Sequence, residues 1–128
     1  MSLEDGTAIV QSKSANPTPL GLSSFALTLF VLSIHNVGYT EMPTIIIGLT
    51  LFYGGLIQLL AGMWEFRANN MFAATAFSSY GGFWLSLIVL LPGASFTNDK
   101  DFDYGLGIYL AGWTLFTLLL LLATFRSN

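Results

Sequence analysis

Between Glu41 and Asp99 only Glu65 and Arg67 carry formal charge. A stretch that poor in charge cannot dress a domain for water, so its outward faces have to meet lipid. Four charge-poor apolar runs divide the chain, at about 19–37, 44–64, 71–91 and 106–125. Each approaches the roughly 20 residues an α-helix needs to cross a hydrocarbon core about 30 Å thick. Composition agrees: 54% hydrophobic and 9% charged, against about 25% charged residues in a soluble domain. The expected fold class is therefore an all-α integral membrane protein. A polar N-terminal tail at 1–15 precedes a single transmembrane domain at 16–128, built as a bundle of four transmembrane helices.

Several function classes are excluded on residue counts. The net charge is −3, and the four basic residues Lys13, Arg67, Lys100 and Arg126 are scattered, so no cationic patch exists for nucleic acid. There is no cysteine and His35 is the single histidine, which leaves neither a thiol nucleophile nor a metal cluster. No nucleophile and base, phosphate loop or cofactor motif is present, so an enzyme is not expected. The first nineteen residues hold two acids, one lysine and no apolar run, unlike a cleaved signal peptide. Insertion then falls to the first span.

Asn16-Pro17-Thr18-Pro19 starts that span. A residue before proline is pushed out of the helical region, Thr18 suits an N-cap, and Pro19 suits the first helical position. Ser24, Thr28 and His35 then fall on one helical face beside Phe25. That face fits either a wet path or hydroxyls returned to their own backbone carbonyls. Pro43 opens the second span, where Thr50, Gly54, Gln58 and Gly62 recur every four residues, a stripe for close helix approach. Glu65 and Arg67 fit a headgroup turn after it, the favoured reading, or a buried functional site. In the third span Ala74, Ser78, Gly82 and Ser86 form a second small-residue ridge beside Thr75 and Ser79, which places this span centrally. Pro92-Gly93 closes it. Thr97 to Tyr104 is a solvated acidic loop, and Arg126 marks the exit of the fourth span. Four spans put both termini on one side. Lys13, Arg67 and Arg126 make that side cytoplasmic by the positive-inside rule, at a cell membrane.

Five segments carry more specific information: Asn16 to Leu22 (NPTPLGL), His35 to Tyr39 (HNVGY), Phe52 to Gln58 (FYGGLIQ), Ala61 to Phe66 (AGMWEF) and Thr75 to Trp84 (TAFSSYGGFW). In this order they resemble the acetate uptake transporter family, also called the succinate–acetate permeases. Gly107 to Thr124 resembles that family's fourth helix. The resemblance implies a monocarboxylate permease of six membrane helices that assembles as a homo-oligomeric, hexameric ring with a pore in each protomer. The chain ends where the fifth and sixth of those helices would begin. Phe25 and Tyr80 match two members of the family's apolar pore constriction; the third, a leucine on the fifth helix, has no counterpart here. The implied function is passage of acetate and related short monocarboxylates, with succinate as a further substrate and with proton linkage. The alternative is a truncated, non-transporting paralogue or fragment that assembles with full-length subunits.

A small carboxylate with a methyl tail needs hydrogen-bond donors and a narrow apolar gate. It does not need a fixed cation. The expected path runs along helices one and three: Asn16, Leu20 and Gly21 at the mouth, the hydroxyls of Ser24, Thr28, Thr75 and Ser79, and a gate of Phe25 and Tyr80. Unpaired N–H groups at Thr18 to Gly21 and at Asn70 to Phe72 would add partial positive charge. Glu65 and His35 are the candidates for proton linkage. The reading implies no cofactor and no metal.

Overall fold

A computed structural model describes residues 15–39, 43–96 and 100–126. The tail through Ser14, the turn around Glu41 and the loop residues 97–99 fall outside these. Every regular element among the described residues is helical, and four helices are long and apolar enough to cross a membrane. Helix α1 is Thr18–Asn36. Helix α2 is a continuous rod in three parts: α-helical Pro43–Leu49, π-helical Thr50–Ile57 and α-helical Gln58–Arg67. Helix α3 is Met71–Phe96 and helix α4 is Lys100–Arg126.

Two local expectations are corrected. Thr18 is not the N-cap of α1: Pro17 holds that place, and the N–H of Thr18 donates to Asn16 Oδ1 at 3.1 Å. With Asn16 closing the helix start, the Thr18 hydroxyl is released for another partner. Pro92 does follow the apolar span, Met71–Leu90, although the helix itself runs on to Phe96. α4 likewise begins at Lys100, inside the stretch read as a solvated loop, where Asp101 and Asp103 stand in the first helical turn and suit the positive end of the helix dipole.

The joint between α2 and α3 is set by two asparagines. Asn69 has φ 61°, the left-handed conformation that asparagine tolerates better than most residues. Its N–H donates to Phe66 O at 3.1 Å, and the N–H of Asn70 donates to Glu65 O at 2.9 Å, the Schellman pattern that closes a helix. Asn70 then caps α3, its Oδ1 accepting the N–H of Ala73 at 3.3 Å. The chain therefore reverses within three residues, and α2 and α3 lie antiparallel and in contact.

Close approach follows from the small residues. A Cβ on Gly62 would fall 2.7 Å from the backbone N of Ser78. One on Gly55 would meet the Leu85 side chain at 2.6 Å, and one on Gly54 would meet Thr28 at 2.8 Å. In an α-helix a four-residue stripe drifts by about 40° at each step. The i→i+5 winding of Thr50–Ile57 offsets that drift, and Thr50, Gly54, Gln58 and Gly62 are all buried.

The third span is central, as expected, since α3 packs against α1, α2 and α4, and α2 shares the interior with it. Within the best 18-residue windows, 39% of α2 and 33% of α3 is buried, against 0% of α4. α2 and α3 form the inner pair, α1 packs across them, and α4 lies at the edge. α4 docks through aromatic rings and hydroxyls: Phe83 stacks on Tyr109 with centroids 6.0 Å apart, and Tyr80 bonds Thr117 at 2.7 Å. The remaining faces carry exposed leucines, isoleucines and phenylalanines, as lipid-facing surfaces do.

Candidate functional site

Gly21 and Phe77 bring α1 against α3, for a side chain on Gly21 would occupy the space of the Phe77 ring. One turn further along, Phe25 meets Tyr80, ring centroids 5.1 Å apart and planes tilted by 49°. Phe25 also reaches Trp84 at 6.1 Å, and Tyr80 meets Phe116 of α4 edge-on at 5.7 Å. Aromatic pairs favour such tilted and edge-on geometries, so the cluster holds itself in place with little polar help.

Phe25 and Tyr80 line two cavities, one to each side of the pair. The first, about 470 Å³, extends toward the end of the bundle where α1 starts and α4 finishes, and its lining includes Thr18, Asn70, Gln58 and Thr124. The second, about 530 Å³, extends the other way along α3 and α4, past Phe83, Trp84, Leu110 and Trp113. The walls of both are predominantly apolar.

The other residues expected on the path are placed elsewhere. Ser24 and Thr28 are fully buried, Thr28 against Gly54 of α2, and line neither cavity. Their hydroxyls return to the backbone: Ser24 Oγ donates to Gly21 O at 2.9 Å and Thr28 Oγ1 to Ser24 O at 2.8 Å. Thr75 Oγ1 donates to Met71 O at 2.8 Å, and neither Thr75 nor Ser79 is among the lining of either cavity. Asn16 and Leu20 line a separate recess against Leu60 and Trp64. The start of α1 offers no free N–H, because Leu20 and Gly21 both donate to Pro17 O, Thr18 donates to Asn16, and Pro19 has none.

Glu65 is not in the turn between α2 and α3. It lies within α2, only 1% exposed, and accepts a hydrogen bond from the Thr18 hydroxyl of α1. Arg67, two positions on, is exposed, as expected on a helix where residues i and i+2 do not face each other. His35 stands in the last turn of α1, at the far end from Thr18, so the two candidates for proton linkage are not neighbours.

Two groups outside the expected path stand out. Gln58 and Trp84 are each fully buried, each lines one cavity, and the amide of Gln58 and the indole Nε1 of Trp84 have no hydrogen-bond partner. Gln58 belongs to the four-residue stripe already visible in the sequence, which places it away from lipid. Trp84 gives no comparable signal before its burial is known.

An apolar bundle of four membrane-length helices, with an aromatic pair between two clefts along α1, α3 and α4, defines a polytopic membrane protein. The chain belongs to the GPR1/FUN34/yaaH family, whose model matches residues 2–128. It is similar to acetate permease A of Emericella nidulans, 50% identical across 91% of this chain and 43% of the relative. It is also similar to the succinate-acetate/proton symporter SatP of Escherichia coli, 44% identical across 91% of this chain and 62% of the relative. Among solved structures it resembles the bacterial acetate channel SatP with a TM-score of 0.80 and 43% identity, covering 90% of this chain and 64% of that one. The chain thus spans between about two fifths and two thirds of the length of these relatives.

Proposed function

We propose that this chain forms a permeation path for acetate and related short monocarboxylates, in a permease or channel of the cell membrane. The observation that carries the reading is the Phe25–Tyr80 pair, 5.1 Å between centroids, with a cavity on either side of it. The relatives named for acetate supply the substrate class. A two-carbon acid fits such a gate because its methyl group tolerates aromatic walls and its carboxyl asks for only a few donors. In this reading Phe25 and Tyr80 set the width. Ser24 and Thr28 hold α1 against α2, and Gly21 fixes the α1–α3 distance. Glu65, tied to Thr18 at the wall of the first cavity, is the candidate for proton linkage. The assembly is a ring of copies, six by the family resemblance, with both termini in the cytoplasm.

The test is uptake of labelled acetate by proteoliposomes containing the chain, with and without Tyr80→Ala. Widening the gate should raise entry of three- and four-carbon acids relative to acetate by several-fold. Equal uptake of all three acids by both proteins would count against the gate.

One observation favours a second reading. α4 has no buried side chain among its described residues, so its free face suits further helices. On that reading the chain conducts only when joined to full-length subunits, and reconstitution alone would give no uptake while co-reconstitution with a complete homologue would yield mixed rings.

A further inference from the structure

The threonines of α4 all face the cavities, and one of them behaves unlike the others. Thr124 lines the first cavity and Thr114 the second. Both hydroxyls turn back onto their own helix, Thr114 Oγ1 donating to Leu110 O at 2.9 Å and Thr124 Oγ1 to Leu121 O at 2.6 Å. That is the usual habit of a hydroxyl in a membrane helix, where a carbonyl of the preceding turn is always within reach. Thr117 lines both cavities, as Phe25 and Tyr80 do. Its hydroxyl instead shares a hydrogen bond of 2.7 Å with the Tyr80 hydroxyl, across the contact between α3 and α4.

The Tyr80 ring touches Phe25 of α1 at 5.1 Å and Trp113 and Phe116 of α4 at 6.2 and 5.7 Å, centroid to centroid. Ring contacts of this kind hold over a range of tilts and offsets. A hydrogen bond is more exacting, because it weakens steeply once distance or angle departs from its narrow optimum. The bond to Thr117 therefore fixes where along that range the ring rests. A different tie docks α4 on α3: the Tyr109 hydroxyl, about two turns nearer the start of α4, bonds Ser86 and Phe83 O. Withdrawing the Thr117 hydroxyl thus frees Tyr80 and leaves α4 in place.

We infer that Thr117 is a positioning residue, whose hydroxyl pins the Tyr80 ring against Phe25. The width left by the aromatic pair is then set from two sides, by α1 through Phe25 and by α4 through Thr117. Thr117 acts through Tyr80, with no contact to the travelling acid required. Its effect on selectivity rests on the permeation path proposed above; the pinning of the ring does not.

The experiment measures ring contacts and uptake on the same proteins. Nuclear Overhauser contacts between isotope-labelled tyrosine and phenylalanine rings are recorded for the whole chain in micelles, with Tyr80 assigned by its loss in Tyr80→Phe and Phe25 by its loss in Phe25→Leu. The Tyr80–Phe25 contact should be strong in the wild type, in Thr117→Ser and in the matched control Thr114→Val, and several-fold weaker in Thr117→Val. The Phe83–Tyr109 contact should persist in all four. In proteoliposomes, entry of three- and four-carbon acids relative to acetate should rise several-fold in Thr117→Val and in Tyr80→Phe, which breaks the same bond from the other side, and the double variant should exceed neither. Thr117→Ser should keep the wild-type ratio. An undiminished Tyr80–Phe25 contact in Thr117→Val, or loss of the Phe83–Tyr109 contact with it, overturns the inference, as does an uptake ratio unchanged in both Thr117→Val and Tyr80→Phe. Absence of uptake from every protein, wild type included, counts against the permeation path, and the ring contacts still decide whether Thr117 pins Tyr80.

Discussion

Thr18 donates to Glu65, the one carboxylate buried among the described residues, so a hydroxyl at the start of α1 satisfies an acid near the end of α2. Removing one partner of a buried polar pair costs about 1–3 kcal/mol, more than the bond itself is worth, because the remaining group is stranded. Thr18→Val should therefore lower the unfolding free energy of the micellar protein by that amount, and Thr18→Ser by clearly less, since it keeps the hydroxyl. Equal stability of the two variants would mean that Glu65 finds water or another donor. This bond was hard to foresee from the sequence, which suggests a capping role for any threonine followed by proline. Only the presence of Asn16 two positions earlier, able to close the helix start itself, hints that Thr18 is free. Ser24 and Thr28 show the same limit: helical periodicity puts them on one face, but it cannot say whether that face meets water or Gly54.

At the scale of the helices, small residues decide how near the rods come. Gly62 lies against the Ser78 backbone, whereas Gly48 has nothing within 4 Å of where its Cβ would be. Gly62→Ala should then destabilise by about 1–3 kcal/mol through overpacking. Gly48→Ala should stabilise by about 0.5–1 kcal/mol, since alanine suits a helix interior better than glycine. Thermal unfolding of the two variants in one detergent separates them, and a shift of the same sign in both would refute the packing account. The stripes containing Gly54, Gly62 and Ser78 were legible in the sequence because spacing alone defines them. The π-helical run was not, for the adjacent Gly54 and Gly55 in TLFYGGLI mark a weak point in a helix without specifying its winding. The Phe25–Tyr80 contact was suggested only by the family resemblance, because an aromatic residue on an apolar helix is equally suited to lipid.

For the whole molecule, the structure brings particular ends together. The start of α1 and the end of α2 are joined through Thr18 and Glu65, and Thr18, Asn70 and Thr124 line one cavity, so α3 starts and α4 finishes at that same end. Arg67 and Arg126 therefore share one membrane face with the N-terminal side of α1, while Lys100 lies on the other. Basic residues accumulate on the cytoplasmic side of membrane spans; in the orientation proposed above, with both termini cytoplasmic, the Gln58 cavity would be the one nearer the cytoplasm. Because the chain lacks cysteine, single cysteines introduced at Ala15, Lys100 and Ser127 report orientation directly. In intact cells an impermeant maleimide should label Lys100→Cys alone, and Ala15→Cys and Ser127→Cys should react only after permeabilisation. Labelling of the two terminal positions from outside would invert the bundle and place the Trp84 cavity on the cytoplasmic side. Labelling of just one of them would contradict the even number of crossings on which the shared end of Thr18, Asn70 and Thr124 depends.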